Sequence, residues 1–256
     1  MYKIGWLDSH AHICGKEFKD DLDKVIQNAK DNGLVKIMII CSDLSEVEKA
    51  IDLATNDEMF DVAVGLHPND QKFLTDKDWD LFYEYAHNEK IIAIGEIGLD
   101  YHWHKDNVEK QKELFIKQIK LAKSLNKPII VHSRDAMKDT YDILNEHKCK
   151  GVMHCYSGSY EMAKEFTKLG YYISLAGPVT FKNAAKPKEV ALKVDINKLL
   201  IETDCPYLTP VPFRGKRNEP MYVKHIGKYI SQLRNIEENE LKEHICENYN
   251  ILFKKF

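Results

Sequence analysis

Eight short runs rich in β-branched and other apolar residues recur along this chain, each separated from the next by a longer amphipathic stretch. That alternation limits the fold more than any other feature. The runs span 4–7, 35–40, 61–65, 91–95, 128–131, 151–153, 171–175 and 199–201. Between them lie helical patterns such as 107–125, where Val108, Leu114, Ile119, Leu121 and Ala122 recur on one face. Strands that alternate with helices make parallel βαβ units, and eight such units with no linker predict an α/β fold, a (β/α)8 TIM barrel. A doubly wound open sheet shows the same alternation. Against it, neither G-x-G-x-x-G nor G-x-x-x-x-G-K-[ST] follows any of the runs. The tail 237–256 reads as a final helix closing the barrel, with Leu241, Ile245, Tyr249 and Leu252 on its buried side.

A chain of 256 residues is close to the size of one such barrel. With no repeat or shift in composition, 1–256 is expected to be a single domain. The formal net charge of −3 offers no global attraction for nucleic acid, so any phosphate binding must come from a local basic patch. Six cysteines without a C-x-x-C pair fit reduced thiols better than a disulfide framework or a zinc ribbon. The opening Met1-Tyr2-Lys3-Ile4 is charged too soon for a signal peptide. No apolar run approaches the ~18 residues that a membrane span needs. A cytoplasmic enzyme without membrane attachment is the expectation, and no obligate protein partner is evident.

The chemistry lies in where His, Asp and Glu fall relative to the runs. His10 and His12 follow the first, His67 the third, Glu96 the fourth, His132 the fifth, His154 the sixth and Asp204 the eighth. In an α/β barrel these ends open on one face, where catalytic groups gather. Taken alone, His10-Ala11-His12 is weak: 11 histidines in 256 residues give about half an H-x-H by chance. Two packed core histidines would satisfy it equally. The arrival of five more metal-capable groups at the same end is what favours a site for divalent cations.

Several blocks resemble motifs of the TatD family of metal-dependent deoxyribonucleases. They are Asp8-Ser9-His10-Ala11-His12, Gly95-Glu96-Ile97-Gly98-Leu99-Asp100-Tyr101, Pro128-Ile129-Ile130-Val131-His132-Ser133-Arg134, His154-Cys155-Tyr156-Ser157-Gly158, Glu202-Thr203-Asp204-Cys205-Pro206 and the stretch 210–220. They occur in family order over residues 8 to 220. The loop His102-Trp103-His104 is richer in histidine than the family pattern. The resemblance implies two divalent cations (zinc, manganese, magnesium or similar), one held by His10, His12, Glu96 and Asp204. It implies that Glu96 bridges to a second, held also by His132 and His154. It further implies hydrolysis of DNA, single-stranded and from the 3′ end, with an activated water as nucleophile and Asp204 as proton acceptor and donor.

Around that set, Glu202 stands two residues before Asp204 and is placed to orient a ligand histidine. The alternative is a barrel-interior carboxylate in an ion pair. His67 is the candidate contact for a substrate phosphate or leaving group, or else a loop histidine bonded to backbone. Arg134 and the loop Arg214-Gly215-Lys216-Arg217 suit phosphate oxygens, although a charge run is usually a solvated face. Tyr101, Trp103 and Tyr156 are candidates to stack bases, against simple packing at the rim. Cys14, Cys155 and Cys205 adjoin the ligands but read as small packing residues, since the family site uses none.

Two other functions compete. A small-molecule amidohydrolase acting on an amide, lactone or phosphoester would share the histidines and the aspartate, but many such enzymes carry a carboxylated lysine where this chain has Glu96. A non-catalytic metal-binding protein would need about four ligands for a closed structural ion, and this chain offers more.

Overall fold

Strands β1 (Trp6–Ala11), β2 (Leu34–Cys41), β3 (Phe60–Val64), β4 (Ile91–Asp100), β5 (Ile129–Arg134), β6 (Gly151–Met153), β7 (Tyr172–Leu175) and β8 (Leu199–Ile201) pair side by side in chain order. Every pair is parallel. The helices between and after them are α1 (Leu22–Asp31), α2 (Val47–Asn56), α3 (Asp76–His87), α4 (Val108–Ser124), α5 (Met137–His147), α6 (Tyr160–Lys168), α7 (Ala185–Lys193), α8 (Val223–Arg234) and α9 (Glu238–Phe253). The result is a nearly closed (β/α)8 barrel, as the alternation predicts. The structure, a computed structural model, describes residues 3–103 and 105–253. His104 and the end of the expected tail helix, 254–256, lie outside the described residues, as do Met1 and Tyr2. No helix among the described residues is long and apolar enough to cross a membrane.

The strands are buried on both sides, so β2 reads Leu-Val-Lys-Ile-Met-Ile-Ile-Cys with little polar alternation. The helices bury one stripe each. On α4 that stripe is Gln111, Phe115, Gln118, Ile119, Leu121 and Ala122, while Val108 and Leu114 lie only partly buried. Two glutamines thus occupy positions where the apolar pattern does not put them. Gly227 lets α8 lie against Trp6, since a Cβ there would come within 2.2 Å of the indole. On α9, Leu241, Ile245, Tyr249 and Leu252 are buried as expected. The Tyr249 hydroxyl donates to Asp61 Oδ2 at 2.9 Å, tying the last helix to β3.

Three strands run further than their apolar residues suggest. β1 continues through Asp8, Ser9 and His10 to Ala11; β4 continues to Asp100; β5 continues to Arg134. The ladder persists where hydrophobicity stops: Gly98 pairs His132 and Asp100 pairs Arg134. His10, Glu96 and His132 therefore stand in strands rather than after them.

The weak place in the barrel is the seam between β8, three residues long, and β1. Past β8 the chain carries on beside β1, with Asp204 N–H donating to His10 O and His12 N–H to Cys205 O, both at 3.0 Å. The Asp8 carboxylate laces this seam, accepting from Thr203 N–H at 2.8 Å and from Thr203 Oγ1 at 2.5 Å. Burial pushes the Asp8 carboxyl up to about 8 from its ordinary 3.8, against the pull of those bonds. Folding then takes up a proton between those two values. The stabilisation is complete below about pH 4 and is lost as pH rises through 8, at up to about 1.4 kcal/mol per unit. Urea midpoints of the wild type should therefore fall more steeply between pH 5 and 8 than those of Asp8→Asn. Parallel slopes would mean that Asp8 stays ionised in the fold.

Candidate metal centre

The polar ends of six strands converge on one carboxylate. Glu96 sits in β4 at a break in the β4–β5 register between Ile94 and Ile97, and only about 6% of its side chain is exposed. Its Oε2 lies 3.4 Å from His10 Nε2 and 3.7 Å from His12 Nε2. Asp204 Oδ1 completes this group, 3.7 and 3.6 Å from the same nitrogens, which are themselves 3.1 Å apart. The other oxygen, Oε1, lies 2.8 Å from His132 Nδ1, 2.7 Å from His154 Nε2 and 3.5 Å from His67 Nε2. One carboxylate thus faces two imidazole groups, one through each oxygen.

The side chains gathered around Glu96 could hold a divalent cation. Ligands at the ~2.0–2.2 Å typical of zinc with nitrogen or oxygen stand about 3.4 Å apart at the corners of a tetrahedron. The separations around Glu96 Oε2 match that edge. Imidazole and carboxylate are donors for zinc, manganese and related ions. In the protein alone, burial opposes the charge on Glu96, yet the facing histidines, His154 foremost, hold its carboxyl well below the usual range. The same carboxylate and Glu202 overcome burial at His154 and raise its pKa well above the ordinary value. Protons on His12, His132 and His154 balance Glu96, whereas burial and His154 lower the pKa of His10; a bound cation would displace those protons.

Further hydrogen bonds fix which nitrogen of His154 and of His132 faces inward. His154 Nδ1 donates to Glu202 Oε1 at 3.1 Å, leaving Nε2 toward Glu96. Glu202 also accepts from Cys155 N–H at 2.6 Å, so it holds the ring and the backbone of the next residue together. This is the position expected for Glu202. His132 Nε2 donates to Asp100 Oδ2 at 3.0 Å, leaving Nδ1 inward. Burial raises the Asp100 carboxyl, but the His132 bond and charge and the N–H groups of Trp103 and His102 carry it well below the usual range. Asp100 is a residue that sequence reasoning did not single out, although it stands within the Glu96 motif. His67 differs from the others. Its Nδ1 accepts from Asn69 N–H at 3.2 Å, so the neutral ring carries its proton on Nε2 and presents a donor rather than a ligand. Two positions require unusual backbone. Asp204 has φ 56°, which turns it back into the mouth from β8. Gly98 has φ 148° and lies so close to β5 that a Cβ would fall 2.0 Å from His132 O.

The residues considered for substrate separate. Arg134, Arg214 and Lys216 are exposed, with Arg134 5.5 Å from the centre of the Trp103 ring and Arg214 stacked on Phe181. Arg217 is held elsewhere: its guanidinium forks onto Asp21 at 2.9 and 2.6 Å and also donates to Glu17 O and Glu219. These bonds, to two carboxylates and a backbone carbonyl, occupy the groups that a phosphate contact at Arg217 would use. Trp103 is 62% exposed and free to meet a base, whereas Tyr156 is buried and donates to Ser159 O, and Tyr101 donates to Asp139. His102 pairs with Asp135 at 3.3 Å on the surface, away from the ligands. Burial raises the thiols of Cys155 and Cys205 well above their ordinary value and that of Cys14 to about 12, so all three stay protonated.

A family model described as TatD related DNase matches residues 7–254. The metal-dependent hydrolase YabD of Bacillus subtilis is 44% identical over 250 residues, covering 96% of this chain and 98% of its own. The metal-dependent hydrolase YcfH of Escherichia coli K12 is 37% identical over 253 residues, covering 96% of this chain and 95% of its own. Among solved structures, the TatD homologue YJJV of Escherichia coli K12 superposes with a TM-score of 0.92 at 29% identity, over 98% of both chains.

Glu202 carries a test of the geometry that needs no substrate. Replacing it with Gln keeps shape but removes the charge that holds a proton on His154 Nδ1. Cation affinity, measured by competition with a chelating dye, should fall by about ten- to a hundredfold. An unchanged affinity would reduce Glu202 to a packing residue.

Proposed function

This chain belongs to the family of TatD-related DNases and is a metal-dependent hydrolase, and from that premise we propose that it cleaves phosphodiester bonds in DNA with two divalent cations held by Glu96 in common. The observation that carries the two-cation part is the split of Glu96, one oxygen toward His10 and His12 and the other toward His132 and His154. In this reading His10, His12, Glu96 and Asp204 hold one ion, and Glu96, His132 and His154 the other. When bound, the pair would activate water as the nucleophile and draw charge from the phosphoryl oxygens.

The remaining steps belong to the chain. Asp204 is more open to solvent than Glu96, with side-chain exposures of 14% and 6%. Its carboxylate takes the proton from the attacking water and returns it to the leaving oxygen. His67 offers its Nε2–H to an oxygen of the scissile phosphate. Arg134 at the end of β5, with Arg214 and Lys216 on the loop after β8, receives the neighbouring phosphates, and Trp103 beside Arg134 receives a base. A single strand entering by its 3′ end fits the family reading. A small amide, lactone or phosphoester would meet the ions but not these outer groups.

Asp204→Asn should keep most of the bound metal, read by atomic absorption, while turnover falls by about two to four orders of magnitude. Wild-type turnover across the pH range would remove Asp204 from the proton path. Glu96→Gln should lose one ion together with activity; retention of both ions and of turnover would overturn the bridge.

The polynucleotide part is tested by salt. A protein neutralising Z phosphates of a single strand loses affinity with a log–log slope near −0.7Z, so Arg214→Ala with Lys216→Ala should flatten the slope by up to about 1.4. Turnover of a small phosphodiester, followed in parallel, should change little. An unchanged slope and affinity would put the small-molecule hydrolase first.

A further inference from the structure

β3 stops pairing with β4 at Val64, yet three residues on the chain must place His67 beside Glu96. Leu66 is buried, and its N–H and C=O have no ladder partner there. Gln118 of α4 supplies one. Its Oε1 accepts from Leu66 N–H at 2.8 Å and its Nε2 donates to Leu66 O at 3.0 Å. Two turns earlier, Gln111 does the same at the end of β4, accepting from Asp100 N–H at 2.8 Å and donating to Asp100 O at 3.0 Å. An extended residue points its N–H and C=O to the same side, so a primary amide closes on it the two-bond ring of an antiparallel residue pair. Both side chains are fully buried. Past these two clamps, Asn69 joins the ends: its N–H donates to His67 Nδ1, and its Nδ2 donates to Asp100 Oδ2 at 3.3 Å, the atom that holds His132.

We propose that Gln111 and Gln118 are positioning residues that replace missing strand partners, Gln118 setting His67 with its proton on Nε2 and Gln111 setting the Asp100 carboxylate on His132. The inference rests on the two-cation reading for its account of His132, and on the hydrogen bonds alone for His67. It assigns the two amides different consequences, although they share a helix face and a burial class. Loss of Gln111 acts on a ligand; loss of Gln118 acts on a donor that touches no ion.

The test uses Gln111→Met and Gln118→Met, near-isosteric changes, with thermal melts of each protein. Titration with zinc and with manganese should show Gln111→Met binding one of its two cations about ten- to a hundredfold less tightly, with the other unmoved. Gln118→Met should bind both as the wild type does. Histidine 15N spectra of the metal-free proteins should show the Nε2–H tautomer of His67 in the wild type and in Gln111→Met, and its loss in Gln118→Met. Turnover of a small phosphodiester by Gln118→Met should drop about tenfold or more at full metal loading. If either Met variant fails to melt cooperatively, the Glu variants replace them; they keep the bond from the backbone N–H and should show smaller changes of the same kind. Equal weakening of both cations by both variants, or wild-type binding and tautomer in both, would make the glutamines packing residues and overturn the proposal. A wild type that binds a single cation would overturn the two-cation reading instead, and the His67 tautomer would still decide the role of Gln118.

Discussion

A buried carboxylate cannot keep its charge without compensation, and Glu96 keeps its own because four strands bring imidazoles to it. Isolated in an apolar interior, such a charge would cost many kcal/mol or take up a proton. Here both of its oxygens are surrounded by ring nitrogens, so the burial that would neutralise it is overridden. The barrel provides the arrangement without special loops. Parallel strands put the ends of β1, β4 and β5 at one height, and each contributes a side chain that a neighbouring strand completes.

Orientation is then set from outside inward. Glu202 and Asp100 each hold one histidine so that one nitrogen is a donor and the other faces Glu96. The amides of α4 hold the peptides that carry His67 and Asp100, so the outer helix layer reaches the centre through backbone rather than through a second set of charges. A charge on α4 in place of either glutamine would need its own compensation in the dry layer between helix and sheet; a neutral amide does not.

Much of this is legible in the sequence and some of it is not, for one reason. The apolar periodicity marks strands for as long as they are surrounded by hydrocarbon, and β6 and β8 begin and end where it does. At the mouth the ladder continues after the surroundings turn polar, so His10, Glu96 and His132 look like loop residues in the sequence and are strand residues in the fold. Their identities still point to the site, since histidine and carboxylate at successive strand ends have one obvious use together. Residues that act by hydrogen bonds to distant backbone leave no such trace. Gln111 and Gln118 sit on a helix face that reads as core with two polar interruptions, and Asp100 reads as the tail of a motif. Arg217 differs in the opposite sense. Local charge marks it as a phosphate-binding residue in the sequence, and only the fold reveals that Asp21, far away in sequence, is its partner.

The seam beside β1 sets the order in which these parts come to exist. Asp8 and Thr203, which close it, are 195 residues apart in the chain. His10 and His12 stand at the end of β1 and Asp204 only after β8, so the two histidines precede the carboxylate that faces them by almost two hundred residues. Barrel closure and completion of that donor group are one event, because the segment that pairs with β1 is the segment that carries Asp204. A chain cut before β8 therefore lacks Asp204 beside His10 and His12, and that group of side chains cannot form before the seam does.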